Sequence, residues 1–385
     1  INSGITWTTM VSGISDHLFS SCFTDENTGF AVGWNGAILK TTTAWDTWSL
    51  QSSLTTNNLY SVNFIDSSNG IAVGENGTII KTINSGINWN VQISGTTTDL
   101  RSVFFTDTNT GYAVGYWGTI LKTYNAGINW FTLLSGTTNT LFSIFFTSSN
   151  TGYAVGENGT ILKTYNSGDT WSELTSGTIY WLHSIYFIND TTGFAVGEHG
   201  TILKTSDSGT SWIFLTSNSD ISLSSIFFYN ENIGYAVGIN GTILKTINSG
   251  SDWITQSSGT SNSISSIYFT DENTGYAFGV NGIILKTITG GEITELQKTK
   301  RIINNISIFP NPSNGDFSIN LIDSYQANYS IYVYNIIGTM IYKKDDTSYS
   351  EFPININLKE NSNGIYLIHL FNENESFFER IIINK

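Results

Sequence analysis

The sequence predicts an all-β chain: a seven-bladed β-propeller of four-stranded blades, closed by its N-terminal strand, followed by a small C-terminal β-sandwich. Three observations carry this. The phrase Gly152-Tyr-Ala-Val-Gly-Glu-Asn-Gly-Thr-Ile-Leu-Lys-Thr164 recurs from Gly29, Gly70, Gly111, Gly193, Gly234 and Gly275, at a constant step of 41 residues. A Trp follows each of the first six blocks at the same step (Trp48, Trp89, Trp130, Trp171, Trp212, Trp253), and Trp7 precedes the first. No proline occurs before residue 310, as ladders that need every N–H require. Self-similarity at about 40–45 residues with short strands marks a propeller, one supersecondary unit per repeat.

Within one repeat the elements follow in order. Leu59 to Ile65 alternates and is rich in β-branched and aromatic residues, a strand. Asp66 to Gly70 is a turn cluster, Ile71 to Glu75 a second strand, and Asn76-Gly77 a strong hairpin signal. Thr78 to Thr82 is a third strand, Asn84-Ser-Gly86 another turn, and Asn88 to Ile93 a fourth strand. The chain opens inside a repeat, as a mature or trimmed product would, with no signal peptide; Ile1 to Trp7 reads as a fourth strand lacking its first three. The last block, Gly275 to Thr287, has no Trp strand after it. Residues 1–12 are therefore expected to complete the seventh blade and remove the open edges of a linear array.

Three regions are expected: the propeller over 1–288, a linker over 289–304 and a C-terminal domain over 305–385. The linker is polar, unpatterned and carries charges of both signs. The last region holds all three prolines and seven strand-like runs: Ile306–Phe309, Phe317–Leu321, Tyr329–Tyr334, Met340–Tyr342, Phe352–Leu358, Gly364–Phe371 and Phe377–Ile383. Short strands separated by turns predict a β-sandwich.

Composition narrows the function. Aromatics make up 14% and charged residues 12%, and the net charge is −14, so the surface opposes phosphate backbones and anionic membranes; nucleic acid is not an expected partner. Cys22 stands alone, which leaves no disulfide framework, and its apolar setting reads as a small packed side chain. No apolar run reaches the roughly 20 residues a membrane-spanning helix needs.

Two resemblances can be put on residues. Thr205-Ser-Asp207-Ser-Gly209-Thr-Ser211-Trp212 fits the Asp-box pattern, and Thr164 to Trp171 fits it with Asn166 in place of Asp. Together with the repeated Gly-Tyr-Ala-Val-Gly phrase, this resembles the BNR/Asp-box propellers of the photosystem II stability and assembly factor type. In the photosynthetic members an arginine-rich patch is associated with binding a photosystem subunit. This propeller has one arginine, Arg101, so that partner is not carried over. The same turn occurs in sialidases, whose three arginines clamp a carboxylate; one arginine does not supply them.

In the C-terminal region, Phe309-Pro-Asn-Pro-Ser-Asn-Gly315, Val333 to Gly338, Gly364 to Ile368 and Ile381 to Lys385 resemble the type A sorting domain of the type IX (Por) secretion system. The resemblance implies a Bacteroidetes-type bacterium, folding in the periplasm, export to the outer surface or medium, and the translocon and sortase as partners. It places the sorting signal on Pro310, Asn311, Pro312, Gly315, Gly338, Gly364, Tyr366 and Lys385.

Departures between repeats point to a functional face. The loops that open first strands and those joining second to third strands share one side of a propeller. After the repeated Gly the second-to-third turn holds Trp34, Glu75, Tyr116, Glu157, Glu198, Ile239 and Val280; the next residue is Asn except at Trp117 and His199. First strands open on Phe19, Tyr60, Arg101, Phe142, His183, Ser224 and Ser265, with Tyr180-Trp181 before His183. Bulky and polar departures gather on blades three to five, and exposed Trp, Tyr, Arg and His are what recognition surfaces use.

The expected ligand residues are Arg101, Tyr116, Trp117, Glu157, Tyr180, Trp181, His183, Glu198 and His199, facing a glycan or protein. No catalytic residue, metal or cofactor is expected, since His183, His199 and Glu198 lack the short fixed spacing of a metal or acid–base motif. The plain alternative is drift in solvent-exposed turns, with Tyr and Phe plugging the channel mouth, and two functional readings stand beside this one. One is a polysaccharide-active hydrolase or lyase using Glu157 and Glu198 as paired carboxylates. The other is a passive component of a surface layer or gliding apparatus.

Overall fold

The computed structural model describes residues 7–43, 47–217, 219–291, 306–321, 328–336, 338–372 and 376–385, with backbone alone at 306 and 376–378. Two compact units divide it, Ile5–Glu292 and Ile293–Lys385.

The first unit contains seven four-stranded antiparallel sheets. In the second blade the strands are Leu59–Phe64, Gly70–Gly74, Ile79–Thr82 and Asn90–Gln92, hydrogen-bonded in that order. The first strands of neighbouring blades touch all the way round, and Leu18–Phe23 closes the ring against Ile264–Phe269. Closure is a ladder: Thr8–Met10 lies antiparallel along Ile284–Ile288, with Thr8 opposite Lys286 and Met10 opposite Ile284. Of the expected closing segment, residues 1–6 lie outside the described residues.

The repeated phrase packs blade onto blade. The second-strand aromatic of one blade stacks on the last residue of the next blade's first strand: Phe30 on Phe64 and Tyr112 on Phe146, both at 4.1 Å, and Tyr235 on Phe269 at 3.9 Å. The Trp of each turn adds an edge-on contact, such as Trp89 against Phe64 at 5.9 Å. The Lys of Ile-Leu-Lys-Thr reaches the next blade, where Lys40 and Lys122 donate to the Ser85 and Ser167 carbonyls at 2.6 Å. A buried ammonium is tolerated there because it is hydrogen-bonded and lies over an aromatic face.

The Asp-box turns close on themselves. Asp207 accepts from the Ser211 hydroxyl at 2.6 Å, from the Ser211 amide at 2.9 Å and from the Thr205 hydroxyl at 2.8 Å. These donors, led by the Ser211 hydroxyl, hold the carboxyl near a pKa of about 2. Cys22 is half-buried beside Phe64, and burial pushes its thiol up to about 11, an inert packing group.

Three details differ from the sequence reading. The second-to-third connection is a three-residue 3-10 turn, Glu75–Gly77 in the second blade, not a two-residue hairpin. Gly77 takes φ 68°, and a Cβ there would lie 2.1 Å from the Thr96 carbonyl oxygen, so the connection to the next blade requires glycine. Fourth strands are only three residues long, because Ser94 turns the chain away by donating to the Thr96 carbonyl at 3.1 Å. Thr289, Gly290 and Gly291, assigned to the linker, repeat the blade turn: the Gly291 amide donates to the Thr287 hydroxyl at 3.0 Å and the Gly290 carbonyl accepts from Tyr235. The rest of the expected linker, 292–304, lies outside the described residues.

In the second unit a three-stranded sheet (Ile306–Phe309, Asp316–Leu321, Ile354–Asn357) and a four-stranded sheet share one core. The four-stranded sheet runs Met340–Ser348, Asn328–Asn335, Gly364–Phe371, Ser376–Ile383. Phe317, Ile319, Val333, Ile368 and Ile381 fill the space between them. Met340–Ser348 runs longer than expected, and Lys343, Lys344, Asp345 and Asp346 charge this outer edge. The run expected from Phe352 starts only at Ile354, because Tyr349–Glu351 forms a capped 3-10 turn.

Candidate functional site

Each first strand carries the same irregularity. Leu100 pairs with Gly115 and Ser102 with Val114, so Arg101 is one residue too many for the ladder, a β-bulge. The other blades repeat it, and the bulged residues are Phe19, Tyr60, Phe142, His183, Ser224 and Ser265. A bulge re-aims its side chain out of the sheet's alternation. Here seven re-aimed side chains lie on the ring of inner strands, at the end where those strands begin. In five blades the Ser after the bulge covers the open inner edge, as where Ser61 Oγ accepts the Val103 amide of the next blade at 3.2 Å.

The 3-10 turns frame this ring, each lying against the first strand of the following blade. Their central residue is left-handed in every copy, including Trp117 at φ 56° and His199 at φ 52°. Asn accepts that conformation readily, whereas a Trp there is strained. Trp117 is 73% exposed.

The bulged and turn residues make a continuous aromatic belt. Trp34 meets His17 at 5.4 Å, His17 stacks on Phe19 at 4.3 Å, and Phe19 meets Tyr60 at 5.1 Å. The Arg101 guanidinium lies over Tyr60 at 4.0 Å, with Tyr116 and Phe142 each at 5.9 Å. Phe142 continues to His183 at 5.2 Å and Trp181 at 5.7 Å, while Tyr180 lies 4.5 Å from His199. His199 Nδ1 in turn lies 3.1 Å from Asp220. On blades six and seven the bulged residues are Ser224 and Ser265, and the belt stops; Ser265 bonds His17 Nε2 at 2.7 Å.

Burial in the belt holds the His183 imidazole below its ordinary pKa, with Glu198 drawing it up and Arg101 pushing it further down. Burial likewise raises the Tyr60 phenol. The belt therefore presents π faces, neutral imidazoles and one guanidinium flanked by rings.

The structure brings Arg101, Tyr116, Trp181 and His183 into this belt; Tyr180 and His199 form a pair beside it, and Trp117 stands out on its own turn. Glu157 and Glu198 do something else. Glu157 Oε2 accepts the Thr140 amide at 2.9 Å and Glu198 Oε2 the Trp181 amide at 3.2 Å, as Glu75 does for Asn58 at 3.2 Å. Each pins its turn to the loop that opens the first strand of its own blade. Sequence reasoning left His17, Phe19, Trp34, Tyr60 and Phe142 out of the site. The missed signal was the bulge: buried Leu100 and Val103, and their copies in five of the other blades, are three apart where an even strand needs two or four. Among the described residues no group of three His, Cys, Asp or Glu side chains could hold a metal ion.

Residues 307–384 match the secretion system C-terminal sorting domain family. Residues 41–136 and 130–220 match the photosynthesis system II assembly factor YCF48 family. Two solved structures share the propeller fold. A structure of YCF48 bound to D1 peptide has 19% identity and TM-score 0.65, covering 74% of this chain and 95% of that one. YCF48 from Cyanidioschyzon merolae has 18% identity and TM-score 0.63, covering 73% of this chain and 98% of that one. No curated protein matches the chain. The chain is thus a propeller resembling the YCF48 type followed by a sorting domain, which marks it for type IX export to the cell surface or the medium. No helix of the described residues is long and apolar enough to cross a membrane.

Proposed function

We propose that the exported propeller is a non-enzymatic binding protein that takes a glycan or protein ligand across its aromatic face. The observation that carries this is the unbroken belt from Trp34 to Trp181 with Arg101 laid over Tyr60 at 4.0 Å. Aromatic faces stack on sugar rings or hold peptide side chains, and a guanidinium flanked by rings is presented ready to meet a carboxylate or hydroxyl without first being ordered. A structurally similar propeller is solved with a peptide bound, which supports a protein ligand on this architecture. The hydrolase reading loses its motive, because Glu157 and Glu198 are accounted for as turn pins.

The test is a glycan array together with a pull-down using host and environmental polysaccharides and proteins. The parent chain should retain a ligand, and Arg101→Ala or Trp181→Ala should cost about 2 kcal/mol, roughly thirtyfold in Kd, as removal of a central anchor does. Binding unchanged in both variants would move the site elsewhere, and turnover lost in Glu157→Gln would restore the enzyme.

A further inference from the structure

The C-terminal unit holds a juxtaposition that binding by the propeller does not use. The stretches that mark this unit in the sequence are far apart in the chain, yet register brings them to one end of the four-stranded sheet. Asn335 pairs with Tyr366 and Tyr366 with Ile381, while Gly364 pairs with Ile383. The turn containing Gly338, the Gly364 corner and the chain end therefore lie together.

The loop of Pro310, Asn311 and Pro312 is fastened onto the same end. Asn311 donates from Nδ2 to the Arg380 carbonyl at 2.9 Å and accepts the Ile382 amide on Oδ1 at 3.0 Å. Ser313 continues with its backbone, its amide donating to the Ile382 carbonyl and its carbonyl accepting from Asn384, both at 2.8 Å. The loop thus serves as a neighbouring strand for the last residues of Ser376–Ile383, the outer strand of its sheet. Gly315 makes the approach possible: a Cβ there would lie 2.9 Å from Lys359 Cα. Lys385 completes the corner, its ammonium donating to the Lys359 and Asn361 carbonyls.

Beside this clasp the surface is apolar. Ile336 is 80% exposed, and Met340, Ile365 and Leu367 are exposed as well. Tyr334 pairs with both Met340 and Leu367, which puts those three in one row across the sheet, with Arg380 next in line beyond Leu367. Tyr366 and Ile368, pointing the other way, are core. The far end of the same sheet is charged, with Lys344 paired to Glu351 at 2.9 Å.

We infer that the clasped, apolar end of the sandwich is the surface on which the export machinery docks, with Asn311 as a positioning residue acting through the last strand. The partner it fits is a folded protein with an apolar face and an acceptor for Arg380 at its rim. An exposed apolar patch framed by ordered backbone is what such an interface offers, and the sorting-domain match supplies the partner.

The test uses the full chain in a type IX-competent cell, comparing exported and periplasmic fractions. Ile336→Glu with Leu367→Glu, both on exposed side chains, should lower export roughly tenfold or more while the periplasmic protein stays protease-resistant. Asn311→Ala should lower export and speed hydrogen exchange at the Ile382 amide. Asn311→Asp, which keeps the acceptor and loses the donor, should fall between it and the parent. Lys344→Ala, at the other end, should export like the parent. Normal export of the double Glu variant overturns the docking surface, and so does equal retention of folded Lys344→Ala. Normal export of Asn311→Ala despite faster exchange removes the positioning role. If Asn311→Ala does not fold, the double Glu variant still decides the surface.

Discussion

Trp117 and His199 stand where the other five blades have Asn, at the left-handed centre of the 3-10 turn. Left-handed backbone costs a residue with a Cβ about 1 kcal/mol or more, and Asn recovers part of it through its short polar side chain. Strain that the fold does not need is a reason to look for a ligand. Trp117→Asn should therefore raise stability by roughly 1 kcal/mol in denaturant unfolding while weakening ligand binding. A variant that loses stability would show that the Trp117 ring packs usefully against its neighbours. Residues of this kind were legible from the sequence because six sister repeats supply the reference at each position. The glutamates were not. Whether Glu157 faces a ligand or the Thr140 amide depends on where the turn lies against the loop before its first strand, which spacing alone does not encode.

At the scale of elements, the blade order was readable because each strand type carries its own pattern: alternation in the first, Gly-Tyr-Ala-Val-Gly in the second, Ile-Leu-Lys-Thr in the third, Trp before the fourth. Ring closure followed from the two mismatched ends. Its energetic consequence rests on Trp7, 1% exposed and edge-on to Phe269 at 5.9 Å. Trp7→Ala should cost about 3–5 kcal/mol by truncation of a buried aromatic. Deleting residues 1–12 should cost more, since it also unpairs Ile284–Ile288 from Thr8–Met10 and leaves an open edge. Denaturant midpoints of parent, point variant and shortened chain give the order; a shortened chain that unfolds at the parent's midpoint would mean the closing ladder adds nothing. The bulges were harder to read than the strands. Arg101 and its equivalents looked like ordinary alternating positions until the pairing of Leu100 with Gly115 and Ser102 with Val114 left no partner for the residue between.

At the scale of the molecule, the proposed recognition face and the export signal lie on separate units, Ile5–Glu292 and Ile293–Lys385, each with its own cores. A machine that moves folded cargo needs an address that does not depend on the cargo, so the two functions should fail independently. The chain carrying Trp117→Ala and Trp181→Ala should reach the medium or cell surface like the parent and retain no ligand there. The chain lacking 377–385 should do the reverse. That deletion strips Ile381 and Ile383, 0% and 1% exposed, and leaves Gly364–Phe371 as a bare edge. Each lost isoleucine is worth about 2–5 kcal/mol, together comparable to the whole stability of a small domain, roughly 5–15 kcal/mol. The sandwich should unfold, Asn311 should have no strand to hold, and the chain should stay in the periplasm with a propeller that still binds. Fractionation followed by a binding assay on each fraction separates the two. Export that persists without 377–385 would mean the address is not read from the folded sandwich, and retention of the Trp variants would mean the propeller takes part in its own export.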